Sequence, residues 1–103
     1  MKNKKAILKL ADLMGYEIKE ENCNFLSIVK NEVKIIYNPF LLENARQREE
    51  LIEHPEIMTD IFYYEHTNKW CCYISGEQKG IHKSRHIAIF KALCALVDEV
   101  FEE

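Results

Sequence analysis

The chain reads as an α+β domain on three observations. Helical apolar patterns stand at both ends, runs rich in β-branched and aromatic residues come in pairs around short polar turns, and a glycine-bracketed loop leads from the last run into the closing helix. The expected architecture is antiparallel β-hairpins forming one sheet, with the N- and C-terminal helices packed on it and a peripheral central helix, in a single domain of residues 1–103.

Lys4 to Met14 is amphipathic, with Ala6, Ile7, Leu10, Ala11, Leu13 and Met14 inward and Lys5, Lys9 and Asp12 outward. Gly15 supplies its stop. Tyr16 to Lys19 alternates as one short strand, and Phe25 to Val29 with Val33 to Tyr37 form a hairpin around Lys30, Asn31 and Glu32. Asn38 and Pro39 read as a cap followed by a proline at the first helical position, so a second helix is expected to run to about Glu53 before His54 and Pro55. Its apolar seam, Leu41, Leu42, Ala45, Leu51 and Ile52, is narrow, and Arg46, Gln47, Arg48, Glu49 and Glu50 read as solvated. Ile57 to Glu65 and Lys69 to Ser75 form a second hairpin, with Trp70, Cys72 and Ile74 on one face and Cys71, Tyr73 and Ser75 on the other. Gly76 to Gly80 then reads as loop, with Ser84 as N-cap of the last helix.

In that helix Ile89, Phe90, Leu93, Cys94, Leu96, Val97, Val100 and Phe101 occupy an arc of roughly half the circumference, wider than a surface helix needs. Ala88, Ala92 and Ala95 sit at its margins, where small side chains let another element approach closely.

The composition, 48% hydrophobic and 30% charged, is that of a folded globular chain. No apolar run approaches the roughly 20 residues of a membrane span, and the N-terminus lacks the apolar core of a signal peptide, so a cytoplasmic protein is expected. Cys23, Cys71, Cys72 and Cys94 then read as free thiols.

Catalytic and metal-binding constellations fail on geometry. His82 and His86 follow Cys71 and Cys72, but adjacent cysteines on a strand point to opposite faces and His82 precedes the helix cap, which speaks against zinc. No base is placed near Cys23, and Glu20, Glu21, Asp60 and Glu65 form no recognisable acid–base pair. The expectation is a protein that is not an enzyme and carries no cofactor.

Charge is unevenly distributed under a net −3. From Gln78 to Val97 there is no carboxylate, whereas acids crowd Glu43 to Glu65 and Asp98 to Glu103. Lys79, Lys83, Ser84, Arg85 and His86 concentrate positive charge where a helix N-terminus is already positive, and acids close the same helix at its negative end. This cluster is the candidate site for an anionic partner, either acidic side chains or phosphate. The alternative is that both ends are simply solvated, or that the acidic segment Glu43 to Glu53 packs nearby.

The plan of a tryptophan-started strand, a glycine-containing loop and a closing helix bearing Ala88, Ile89, Ala92 and Leu93 resembles small phage-encoded proteins of the α/β/α-sandwich type. That resemblance implies a virus or prophage origin and no enzymatic activity. Trp70, Cys72, Ile74, Gly76, Gly80, Ser84, Arg85 and Ala88 also fall at spacings similar to the last strand, loop and second helix of the double-stranded-RNA-binding motif, whose basic helix start meets phosphates. Here Arg85 and His86 stand in place of its paired lysines, His82 in place of its second loop glycine and Ile89 in place of its following lysine, which removes much of its charge.

The expected function is therefore a non-enzymatic protein-binding module, a phage accessory protein inhibiting a host or defence protein, with double-stranded RNA or other nucleic-acid binding at the basic start of the last helix as the alternative. The many aromatic residues point to a homodimer.

Overall fold

The computed structural model describes residues 4–21 and 26–100. Its elements run α1 (Lys4–Leu13), β1 (Ile18–Glu21), β2 (Leu26–Lys30), β3 (Val33–Tyr37), α2 (Ala45–Ile52), β4 (Thr59–Tyr64), β5 (Lys69–Ile74), β6 (Glu77–His82) and α3 (Arg85–Val100). Cys23, Phe25, Phe101, Glu102 and Glu103 lie outside the described residues, and so does the reading of the side chains at Val97, Asp98, Glu99 and Val100. None of the described helices is long and apolar enough to cross a membrane.

The fold is α+β, built from antiparallel hairpins, but the strands divide into two three-stranded sheets, β1-β2-β3 and β4-β5-β6, where one sheet was expected. The expected short strand, at Ile18–Glu21 rather than Tyr16 to Lys19, joins the first hairpin and the unexpected β6 joins the second, so the chain is two successive α-β-β-β units closed by α3. The division has a local cause at the free edge of β3. Gln47 of α2 donates from Nε2 to the Ile36 carbonyl and accepts at Oε1 from the Asn38 N–H, both at 2.8 Å. One side-chain amide thus occupies two of the edge groups that a neighbouring strand would have used.

Two turns follow directly from residue type. Lys30 pairs with Val33 across Asn31 (φ 52°) and Glu32 (φ 68°), and Ile74 pairs with Glu77 across Ser75 (φ 53°) and Gly76 (φ 83°). Positive φ at both central residues is the two-residue turn whose twist matches that of antiparallel strands. The second of these turns creates β6 from a stretch that the spacing of Gly76 and Gly80 suggests is loop.

Gly80 is therefore a strand residue, and the reason for glycine there is steric. A Cβ at this position would stand 2.0 Å from the Ala88 carbonyl oxygen and 2.9 Å from the Ala92 nitrogen. The backbone of α3 lies directly on the backbone of β6, with Ala88 and Ala92 as the contact stripe, both fully buried. From that seat Ile89 and Leu93 reach the core together with Cys72 and Ile74 of β5.

One apolar cluster joins both halves of the chain. It takes Ala6, Ile7, Leu10 and Ala11 from α1, Leu26 and Ile28 from β2, Tyr37, Phe40, Leu51 and Ile52 around α2, and the β5 and α3 residues just named. Complete burial of a Leu or Ile side chain contributes about 1.5 to 3 kcal/mol, so this shared cluster is what holds the two sheets in one body.

The central helix is shorter than its sequence suggests. Asn38 and Pro39 shape a turn in which Asn38 Oδ1 accepts the Phe40 N–H at 3.0 Å, and α2 begins only after Asn44. The intervening loop is gathered by Arg48, which is 1% exposed although its sequence context reads as solvated. Its guanidinium donates to the carbonyls of Pro39 at 3.1 Å and Leu42 at 2.6 Å, and also to that of Leu41. The same group lies 5.1 Å from the ring centroid of Phe90 on α3. A buried cation is thus held by carbonyl dipoles and an aromatic face, and burial lowers its pKa from the ordinary arginine value. The helix is peripheral on its Arg46 side and anchored on its Arg48 side.

Two substitutions test these contacts. Gly80→Ala is expected to lower stability by about 3 kcal/mol or to prevent folding, because the clash is with backbone that cannot rotate away. Arg48→Met and Arg48→Lys are each expected to cost about 2 to 4 kcal/mol, the first by leaving three carbonyls without a donor and the second by losing the planar fork. Urea denaturation of the variants beside the wild type measures both.

Candidate functional site

The structure scatters the five residues of the expected anion site along the β6–α3 junction. Lys79 is the extra residue of a β-bulge, since Cys72 pairs with Gly80 and Tyr73 with Gln78. Its side chain is only 11% exposed and pairs with Glu77 at 2.8 Å. Ser84 is the N-cap residue, its carbonyl accepting the Ala88 N–H at 3.0 Å, while its own N–H donates to His82 Nδ1 at 2.9 Å. Lys83 is exposed and His86 half-buried. Arg85 pairs with Glu49 of α2 and lies 5.9 Å from the ring centroid of Trp70.

This arrangement accounts for the reversed charge at the start of α3. α2, with Glu49 and Glu50 beside Arg46 and Arg48, packs against it, and the Arg85–Glu49 pair ties α2 to α3 beside the Arg48–Phe90 contact. Two of the three lysine and arginine side chains of the cluster are therefore engaged with carboxylates of the chain itself. Solvent screens pairs of this kind, so their main effect is to hold charge in place.

A second group of ionisable residues meets under α2. Glu50 accepts from Tyr16 Oη at 2.8 Å and from Lys30 Nζ, and the Tyr16 ring stands edge-on to Tyr37 at 5.3 Å. Partial burial pushes the Glu50 carboxyl up, but the hydrogen bonds from Lys30 and Tyr16 outweigh it and hold the group below the ordinary glutamate value. The bond to Glu50 raises Lys30, and burial raises Tyr37. Beside this group lies a cleft of about 500 Å³ whose walls include Lys30, Val33, Ile35, Arg46, Gln47 and Glu50. Part of its polar wall is spent on the fold: Glu50 on Lys30 and Tyr16, Gln47 on the β3 edge, and Asn44 on the Asn38 carbonyl at 2.8 Å.

The third feature is the face of the β4-β5-β6 sheet turned away from α3. Gly80 and Cys72 pair on the helix side, so alternation assigns Phe62, Cys71 and Ile81 to one row of the opposite face. Phe62 is 50% exposed and Ile81 is 41% exposed. Phe62 contacts Tyr73 edge-on at 5.8 Å and Tyr64 at 6.5 Å, and the Tyr64 and Tyr73 hydroxyls lie 3.1 Å apart. Between Phe62 and Ile81, Cys71 is 4% exposed, yet unlike the other buried apolar residues it is not part of the shared core. It is buried by the side chains of an uncovered sheet face.

The expected opposition of Cys71 and Cys72 is thus observed, and both are free thiols. Burial pushes the Cys72 thiol up to about 11, with Arg85 acting in the opposite direction. The outer face could have been found in the sequence, because Phe62, Tyr64, Cys71, Tyr73 and Ile81 follow strand alternation once β6 is recognised. Arg48 also left a signal, standing three residues after Ala45 and three before Leu51, within the apolar seam.

Glu50 has a pH signature. Its folded carboxyl ionises more readily than in the unfolded chain, so its contribution is present above the unfolded value of about 4.3 and is lost as pH falls through the depressed folded value. Glu50→Gln is expected to cost about 1 kcal/mol at neutral pH and to flatten the acid limb of the stability profile, measured by urea midpoints from neutral to acid pH.

Compared with known protein families, with curated proteins and with solved structures, the chain matches none.

Proposed function

We propose that the protein is a non-enzymatic protein-binding module that docks through the outer face of the β4-β5-β6 sheet. The observation that carries this reading is the apolar row Phe62–Cys71–Ile81, extended by Tyr64 and Tyr73, on a face that no helix covers among the described residues. Contiguous exposed apolar surface of this kind marks interaction sites, and aromatic side chains supply the anchors that dominate protein interfaces. The charge of the β6–α3 junction suits the rim of such an interface, since Lys83 is exposed while Arg85 and Lys79 are each held by a carboxylate.

The alternative is binding of double-stranded RNA or another nucleic acid through Lys79, Lys83, Ser84, Arg85 and His86. Tight binding of that kind needs several phosphate contacts and weakens steeply with salt. The engagement of Arg85 with Glu49 and of Lys79 with Glu77 leaves less free charge for it.

Capture on the immobilised protein separates the two. A defined protein retained from native-cell lysate after nuclease treatment, and reduced at least tenfold by Phe62→Asp, is the expected result. Retention of nucleic acid alone, lost on Arg85→Glu and unaffected by Phe62→Asp, would establish the alternative.

A further inference from the structure

The outer face of the second sheet is polar at its two ends and apolar between them, and the two ends carry opposite charge. Asp60 stands opposite Tyr73 at one end, and Lys69 stands opposite Tyr64 at the other. Four residues of strand separate the two positions, about 13 Å. Both charges are exposed, and neither has an ion-pair partner among the described residues. Between them lies the row formed by Phe62, Cys71 and Ile81.

Such a pattern is self-complementary under one operation. A twofold axis lying in the interface and perpendicular to the strands reverses their direction, so each Asp60 end meets a Lys69 end and the apolar rows meet at the centre. An axis along the strands would instead bring like charges together. Resting on the docking reading above, we propose that the occupant of this face is a second copy of the chain, packed sheet against sheet about the perpendicular axis. Face-to-face sheets pack about 10 Å apart with strands within about 30° of alignment, a geometry that twisted three-stranded sheets adopt readily. The contact buries Phe62 and Ile81, completes the cover over Cys71, and forms the Asp60–Lys69 pair twice.

Sedimentation equilibrium of the full chain from low to high micromolar concentration tests this, with circular dichroism to verify that each variant is folded. The wild type is expected to dimerise, and Phe62→Asp or Ile81→Asp to weaken the dimer roughly thirtyfold or more. Asp60→Lys alone is expected to weaken it roughly tenfold by opposing like charges, and Asp60→Lys combined with Lys69→Asp to recover most of that loss. A wild type that stays monomeric at high micromolar concentration overturns the proposal while leaving the docking reading to the capture experiment. A dimer indifferent to both Phe62→Asp and Ile81→Asp also overturns the proposal, because the dimer interface then lies elsewhere, and it too leaves the docking reading to the capture experiment. Failure of the charge exchange to restore a dimer weakened by Asp60→Lys overturns the perpendicular axis.

Discussion

The seating of α3 on β6 at Gly80 is the constraint on which the rest of the molecule depends. Only the absence of a Cβ lets the Ala88 carbonyl and the Ala92 nitrogen come so close to the strand backbone. That approach fixes which side of the β4-β5-β6 sheet is covered. It places Cys72 and Ile74 in the core with Ile89 and Leu93, and it leaves Phe62, Cys71 and Ile81 on the far side. A larger residue at position 80 would lift the helix and loosen the cluster that joins both halves of the chain.

The second half of the architecture rests on a buried cation. Arg48 orders the loop between β3 and α2 by drawing three carbonyls toward one guanidinium, and it faces Phe90 across the α2–α3 contact. Isolated burial of a charge would be prohibitive, but a planar group with five donors can replace lost water by carbonyl oxygens. Around it the acidic residues of α2 are distributed to specific partners, Glu49 to Arg85 and Glu50 to Lys30 and Tyr16. The helix that reads as the most polar in the chain is therefore tied by its side chains to β2, β3 and α3.

These two anchors also explain why one face stays open. The molecule measures 23 Å along its shortest axis, enough for one sheet with one layer of helix and little more. With α3 committed to one side of the second sheet, no further helix among the described residues is left for the other. The aromatic side chains there cover Cys71 by leaning on one another, and this leaves an apolar surface flanked by opposite charges.

Local pattern was sufficient for the class of fold and for most of its elements. The helical periodicity of α1 and α3, the alternation of β2, β3, β4 and β5, and the small residues at Ala88 and Ala92 depend on nearest neighbours along the chain, and such signals survive in a single sequence. The opposition of Cys71 and Cys72 follows from the pleat alone. Gly80 was ambiguous, because glycine serves a loop and a close backbone approach equally well and only the position of α3 distinguishes them. Tertiary contact decided the rest. Gln47 separates the sheets by meeting an edge formed from residues eleven and nine positions away, and Arg48 is buried by a loop and a helix that no periodicity links to it. Arg85 loses its standing as a free cation to Glu49, thirty-six residues distant. In each case a polar side chain was assigned from its own helix or strand, whereas its environment was set by partners that only folding brings within hydrogen-bonding distance.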